Sequence, residues 1–130
     1  MTDTAPAPLA LLDRDHLNAM TGGDQSLAIE VIEIFRHQAE IWSRLLDPMA
    51  DASQWADAAH TLKGASLGIG ALRLASICEK AERLGRGEAT PSRTAAAVML
   101  GDVKDILGDT LEVVARAAYE LASPGPKRAS

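Results

Sequence analysis

A histidine, a lysine and a glycine lie close together in the stretch HTLKGAS, residues 60–66, as His60, Lys63 and Gly64. An accessible neutral imidazole is a nucleophile near neutral pH. If the stretch is helical, Lys63 can place its ammonium beside an anion carried by that imidazole, and Gly64 lies almost above the ring. Glycine costs about 1 kcal/mol relative to alanine in a helix interior, so its use here suggests that open space is needed. An open nucleophile beside a cation suits phosphoryl transfer, which depends mainly on positioning and charge stabilisation.

The same three residues can also occur on an ordinary helix surface, because short motifs carry a risk of false positives. A second polar residue adds weight to the functional interpretation. Gln38 falls within an apolar stripe, between Phe35 and Trp42, where an amide should have a hydrogen-bond partner. Gln38 either reaches His60, to orient the ring or bind a phosphoryl oxygen, or lies at the edge of the stripe and caps a backbone group or meets solvent.

Helical spacing of apolar residues and helix-capping residues predict five helices. The first three helices begin after Asp13, Asp24 and Asp51. The fourth spans about residues 71–85, and the fifth runs from Thr90-Pro91 to about residue 122. No segment alternates as a strand would. The predicted fold is an all-α antiparallel four-helix bundle with a short additional N-terminal helix. We expect the domain to span residues 11–122, with a flexible Pro- and Ala-rich segment at 1–10 and a disordered tail at 123–130.

The third predicted helix has a clear core stripe, formed by Trp55, Ala59, Leu62, Ser66 and Ile69. At roughly 100° per residue, His60 falls about 140° from the centre of this stripe. The histidine is therefore predicted to face solvent.

Composition narrows the function classes. The chain has 130 residues, 47% of them hydrophobic, and a net charge of −5 with a pI near 5.1. This balance argues against nucleic acid as the main partner, because phosphate backbones need a basic face. There is one cysteine, no basic region before the first apolar residues, and no uncharged apolar run of the roughly 20 residues that a membrane span needs. A cytoplasmic protein without a membrane partner is expected.

The run HTLKGASLGIGA resembles the signature of histidine-containing phosphotransfer (HPt) domains, which is His, two residues, Lys, Gly, two small residues and a further Gly ten positions after the His. TGGD at 21–24 and IEIFRHQ at 32–38 are also similar to the upstream helix of that family. The resemblance covers about residues 13–87.

The resemblance implies a phosphorelay carrier. His60 would accept a phosphoryl group from a receiver-domain aspartate or a (hybrid) histidine kinase and pass it to another receiver aspartate. By the same match, Lys63 offsets phosphate charge, Gly64 allows close approach, Gln38 neighbours the histidine and Gly70 marks the helix-end turn. The receiver supplies the aspartate and Mg²⁺, so no cofactor or metal is expected on this chain. We expect it to be a monomer.

Four residues are predicted to bind the partner: Ala56, Leu67, Ile34 and Ile41. Leu67 would lie on the exposed side near His60, where family members often carry small residues. A contiguous apolar rim there would suit docking. The alternatives are a stray surface leucine and, for the two isoleucines, the core.

Other kinds of site have weaker support. His16 and His37 show no ligand spacing with His60, so a metal site is not predicted. Cys78 lies in an apolar stripe and is predicted to be core, whereas Glu79, Lys80 and Glu82 resemble a solvated helix face. The chain has no phosphate-binding loop of the GxxxxGK[ST] type, so we do not expect it to phosphorylate itself from ATP.

Three rival functions remain. A phosphoacceptor and dimerisation fragment of a sensor kinase would need an acidic residue after the histidine, where Thr61 stands, and an ATP-binding domain after it. A noncatalytic adaptor would bind a receiver without accepting phosphate. A purely structural bundle would leave Gly64 and Gln38 unexplained.

Overall fold

The computed structural model describes residues 9–123 and contains five α-helices in that range, with no strand among them. The helices are α1 (Arg14–Met20), α2 (Gln25–Ser43), α3 (Ala52–Ile69), α4 (Leu72–Gly85) and α5 (Arg93–Ala122). The predicted all-α bundle with a short leading helix is therefore confirmed. The predicted flexible segment 1–10 and disordered tail 123–130 lie almost entirely outside the described residues. None of the helices between residues 9 and 123 is long and apolar enough to cross a membrane.

The four long helices form a closed ring of neighbours around one core. α3 packs most extensively on α4 and also on α2, while α5 lies against both α2 and α4. The start of α2 shares a groove with the end of α3, so these two helices run antiparallel. The largest fully buried side chains come from every long helix and from the α2–α3 connection: Trp55, Ile32, Leu46, Leu62, Leu74, Leu100, Val103 and Val114.

Helix starts largely follow the predicted caps. The carboxylates of Asp13 and Asp24 accept hydrogen bonds from backbone amides in the first turns of α1 and α2, as such N-caps do. Asp51 precedes α3, but its side chain makes no capping hydrogen bond. α5 begins slightly later than predicted from Thr90, since the hydroxyl of Ser92 accepts the cap bond instead.

The buried face of α2 is rotated relative to the predicted stripe. Its buried residues are Ala28, Ile32, Phe35 and Ala39. At about 100° per residue, Gln38 lies roughly 90° from the centre of this face. Gln38 is consequently exposed at the edge of the stripe. A contact between Gln38 and a phosphoryl oxygen stays a prediction.

The α3–α4 hairpin fixes which residues of α4 lie opposite His60. α3 ends at Gly70, whose φ of 86° is left-handed and favours glycine. A Cβ on Gly70 would also come within 3.0 Å of the Asp13 carbonyl oxygen. At the other end of the hairpin, a Cβ on Gly85 would lie 2.8 Å from Trp55. The turn at Gly70 and the close approach of α4 to α3 at Gly85 together set the register of the two helices.

Candidate functional site

His60 lies on the solvent side of α3, as the helical wheel predicts. Its side chain is 61% exposed, whereas Ala59 and Leu62 on the opposite side of the helix are completely buried. The imidazole is therefore accessible, and its position is set by the same periodicity that forms the core.

Glu82 on α4 connects the polar groups around His60. One carboxylate oxygen, Oε2, lies 2.9 Å from His60 Nδ1 and accepts a hydrogen bond from Arg86 Nε at 3.1 Å. The other oxygen, Oε1, accepts a hydrogen bond from Lys63 Nζ at 3.1 Å. The side chain of Glu82 is only 15% exposed. The prediction that Glu82 belongs to a solvated helix face is wrong, because the close α3–α4 packing turns it toward α3.

The ionisation of Glu82 determines the proton position on His60. Partial desolvation disfavours the charged carboxylate, but hydrogen bonds from Arg86, Lys63 and His60 outweigh it and lower the pKa of Glu82 to about 2. At neutral pH the carboxylate is ionised and can only accept hydrogen bonds. The Nδ1 atom of His60 must therefore donate, which leaves the lone pair on Nε2, the outer ring nitrogen.

A second carboxylate stabilises the far side of this network. Arg86 Nη2 donates to Asp57 Oδ1 at 2.8 Å while its Nε contacts Glu82. The hydrogen bond to Asp57 and, to a smaller extent, the one to Glu82 raise the pKa of the Arg86 guanidinium. Arg86 thus links α3 to α4 one turn before His60, and Lys63 links them one turn after it.

Gly64 leaves space beside the imidazole that nothing else in the fold requires. For a Cβ built on Gly64, no atom of the described residues lies within 4 Å, its own helix backbone and neighbours apart. The same holds for Gly68, one turn further along α3. The two glycines are therefore not demanded by internal packing. They form a bare strip that begins at His60, and Gly68 is a part of it that the sequence pattern did not single out.

Gln38 lies on α2 beside the C-terminal half of α3. It borders a groove with Ala65 and Gly68, and no hydrogen bond within the described part of the chain joins it to His60. The contact with His60 that was one of the two alternatives for Gln38 is made by Glu82.

Comparison with known proteins decides the family. The family model for the Hpt domain matches residues 26–117, which includes α3, α4 and most of α2 and α5. The chain belongs to the Hpt domain family. It therefore has a phosphotransfer role in a phosphorelay.

Two solved structures resemble this Hpt protein over most of its length. The histidine phosphotransferase ShpA from Caulobacter crescentus is 34% identical, with a TM-score of 0.68, over 87% of this chain and 95% of that one. The histidine-containing phosphotransfer protein ZmHP2 from maize is 24% identical, with a TM-score of 0.68, over 88% of this chain and 91% of that one, and it shows the fold. No curated protein sequence matches the chain.

Three of the four predicted partner-binding residues lie on the surface of this Hpt protein. The exposed fractions are 55% for Ile34, 44% for Ile41 and 50% for Leu67. The prediction that Ala56 binds the partner is wrong, because Ala56 is completely buried and contacts α4 where Gly85 approaches α3. Cys78 is buried as predicted, and burial, slightly offset by the charge of Lys63, raises the pKa of its thiol to about 12.

An apolar groove lies between α2 and the C-terminal half of α3. It has a volume of about 260 Å³ and is lined by residues of α1, α2 and α3. Its apolar walls include Met20, Leu27, Val31, Ile34 and Phe35. The groove therefore borders the bare strip at Gly68, on the face that also carries His60.

Glu82, Arg86 and Asp57 are the site residues that sequence reasoning missed. Their sequence signal is weak, since Glu82 and Arg86 have the i, i+4 spacing of any exposed helix pair. Only the register of α3 against α4 brings them to His60.

Proposed function

We propose that His60 is the phosphoacceptor of this Hpt protein. The lone pair on Nε2 attacks the phosphorus of a receiver-domain phosphoaspartate or of a phosphorylated histidine kinase. The bond from phosphorus to the donor breaks and an Nε2–P bond forms. In the next step a receiver aspartate attacks the same phosphorus, and the Nε2–P electron pair returns to the ring.

One arrangement carries this proposal. The His60 ring is 61% exposed, its Nδ1 is 2.9 Å from an ionised carboxylate, and Gly64 leaves open space beside it. A carboxylate that fixes the tautomer of a histidine keeps the lone pair of the other ring nitrogen free to react. Carboxylates orient the catalytic histidines of many enzymes in the same way. An exposed structural histidine would need neither the half-buried acceptor nor the empty strip.

Lys63 supplies positive charge for the transferred group. Its Nζ is 3.1 Å from Glu82 and its side chain is 24% exposed, so the ammonium lies beside the ring without being sealed from solvent. Once phosphoryl oxygens are present on Nε2, Lys63 can turn toward them while Arg86 keeps its contact with Glu82. This matches the electrostatic requirement of phosphoryl transfer.

The proposed docking surface for a receiver domain surrounds His60. Ile34 and Ile41 are seven residues apart on α2 and therefore share a face, and Leu67 is seven residues after His60 on α3. Together with the apolar groove they form an apolar rim on the face that carries the nucleophile, and such a rim suits a transient protein interface. The receiver brings the aspartate and its Mg²⁺. We propose that the protein is a cytoplasmic, monomeric carrier that exchanges phosphoryl groups with receiver domains and a (hybrid) histidine kinase.

Phosphotransfer from a phosphorylated receiver or kinase of the same organism tests the proposal. The wild-type protein should gain one acid-labile phosphoryl group, measured by intact mass, and His60→Gln should gain none. His37→Gln is the matched control, because His37 is also exposed but lies on α2. Label on His60→Gln, or no label on the wild type with receiver binding retained, would contradict the carrier role, and the second result would favour the noncatalytic adaptor.

Docking can be tested separately from chemistry. Leu67→Glu should weaken receiver binding and slow transfer at limiting receiver concentration. Val98→Glu on α5 is its control, since Val98 is 61% exposed and lies on a different helix. Equal transfer rates in both variants would refute the proposed docking surface while leaving the role of His60 intact.

A further inference from the structure

Glu82 contacts the ring nitrogen that the phosphoryl group does not use. Its Oε2 is 2.9 Å from His60 Nδ1, and hydrogen bonds from Lys63 and Arg86 restrain the same carboxylate. Because Glu82 contacts Nδ1 and not Nε2, a phosphoryl group on Nε2 does not require Glu82 to move, and Arg86 still holds the carboxylate when Lys63 turns toward the phosphoryl oxygens. The carboxylate is therefore positioned to act on the phosphorylated ring as well as on the free one.

The proton on Nδ1 controls how easily the Nε2–P bond breaks. When that bond breaks, its electron pair returns to Nε2. With a proton on Nδ1 the ring leaves as a neutral imidazole, whereas without it the ring would have to leave as an imidazolate anion. The attacking oxygen of water or of a receiver aspartate forms the new P–O bond, and the proton stays on Nδ1 throughout.

We propose that Glu82 shortens the lifetime of the phosphohistidine by holding a proton on Nδ1, so that the phosphoryl group is kept ready for transfer. Glu82 is thus a positioning residue that acts through the ring. This inference rests on the proposed role of His60 and concerns how long the phosphorylated state persists.

A carboxylate and an amide at position 82 form different hydrogen bonds with Nδ1 of His60. An ionised carboxylate only accepts hydrogen bonds, so it favours the ring with a proton on Nδ1. A glutamine has the same shape, but its NH₂ group can donate to a bare Nδ1 and stabilise the unreactive form. Charge-assisted hydrogen bonds are also about twice as strong as neutral ones. Replacing Glu82 by Gln should therefore lengthen the lifetime.

The other charged groups near the ring are few and do not replace Glu82. α3 itself contributes Lys63 and Asp57, α4 contributes Glu82, and Arg86 follows at the C-cap of α4. Glu79 and Arg83 of α4 line a pocket with Lys63 and Glu82, but they pair with each other. The charged side chains of α2 between residues 33 and 40 line a groove with Leu111 of α5. The charged side chains of α1 lie near the C-terminal end of α3, where His16 approaches Gly70. In the described part of the chain, Glu82 is the one carboxylate in contact with His60.

The test is the decay rate of the isolated phosphoprotein, freed of donor and Mg²⁺, as a function of pH. Wild type is compared with Glu82→Gln and with Glu79→Gln, which makes the same change on α4 at a residue paired with Arg83 instead of His60. We expect Glu82→Gln to decay about five- to tenfold more slowly near neutral pH. The difference should shrink in acid, where solvent protonates Nδ1 in every variant, and Glu79→Gln should decay like wild type.

Equal lifetimes in wild type and Glu82→Gln, with both labelled on His60, would overturn the inference and leave the proposed function standing. Label absent from His60 in the wild type would refute the proposed function and this inference with it. A second measurement needs no variant: ¹⁵N NMR of the phosphorylated wild-type ring at pH 7–8 should show a protonated Nδ1. A bare Nδ1 at that pH would overturn the inference even if Glu82→Gln failed to fold.

Discussion

Removing the charge of Glu82 should destabilise the fold by an amount that depends on pH. The pKa of this carboxyl falls from its ordinary value of 4.5 to about 2 in the folded state. Each unit is worth about 1.4 kcal/mol, so the ionised carboxylate contributes at most about 3 kcal/mol at pH 7. Solvent screens a group near the surface, and a glutamine keeps part of the hydrogen bonding, so Glu82→Gln should lose about 1–2 kcal/mol.

The sign of the pH dependence follows from the direction of the shift. A carboxyl with a lowered pKa in the folded state contributes its full stabilisation above pH 4.5 and loses it as the pH falls from 4.5 toward 2. The difference in free energy of unfolding between wild type and Glu82→Gln should therefore be largest near pH 7 and shrink through that range.

Urea unfolding followed by far-UV circular dichroism, at several pH values from 7 down to 3, measures this difference. Glu79→Gln is the matched control, because the carboxylate of Glu79 is 46% exposed and pairs only with Arg83 among the described residues. A Glu82→Gln protein as stable as Glu79→Gln at pH 7 would refute the energetic account of the network. A loss of stability that stayed constant down to pH 3 would refute the assigned ionisation.

Four further substitutions test the site and the packing around it, three by the same unfolding assay and one, Gly64→Gln, by phosphotransfer. Gly64→Ala should stabilise the protein by about 0.5–1 kcal/mol, since the added Cβ meets no atom within 4 Å. Gly64→Gln should slow phosphotransfer, because the longer side chain crowds the ring. An unchanged transfer rate would remove the proposed reason for the glycine. Gly85→Ala should instead destabilise by about 1–3 kcal/mol, because its Cβ would lie 2.8 Å from Trp55 and 2.9 Å from Ala56, and a neutral result would mean that α3 and α4 separate easily. His60→Gln should change stability by less than about 1 kcal/mol, because the ring is 61% exposed; a larger loss would show that the histidine is a structural residue.

Local periodicity was sufficient to predict the site on α3. The stripe from Trp55 to Ile69 fixes which side of the helix is buried, so the exposure of His60 and Leu67 follows from the sequence alone. α2 was harder, because Trp42 is apolar but only partly buried. A stripe drawn through Phe35 and Trp42 is rotated away from the real centre at Ile32 and Ala39, which explains why Gln38 fell within the predicted stripe.

Contacts between helices could not be read from the sequence. Glu82 reaches His60 because the turn at Gly70 and the close approach at Gly85 set the register of α4 against α3. The same close approach widens the buried face of α3 so that it includes Ala56. The wheel of a single helix contains neither effect, since both arise only when two helices pack.

In the phosphorylated protein, we expect Nε2 of His60 to carry the phosphoryl group while Glu82 holds the proton on Nδ1. NMR of the ¹⁵N-labelled protein after phosphorylation by a receiver or kinase tests it most directly, through the coupling between ³¹P and a ring nitrogen. The structure predicts coupling to Nε2 of His60, with Nδ1 still protonated. Coupling to Nδ1, or a phosphorylated residue other than His60, would contradict the account.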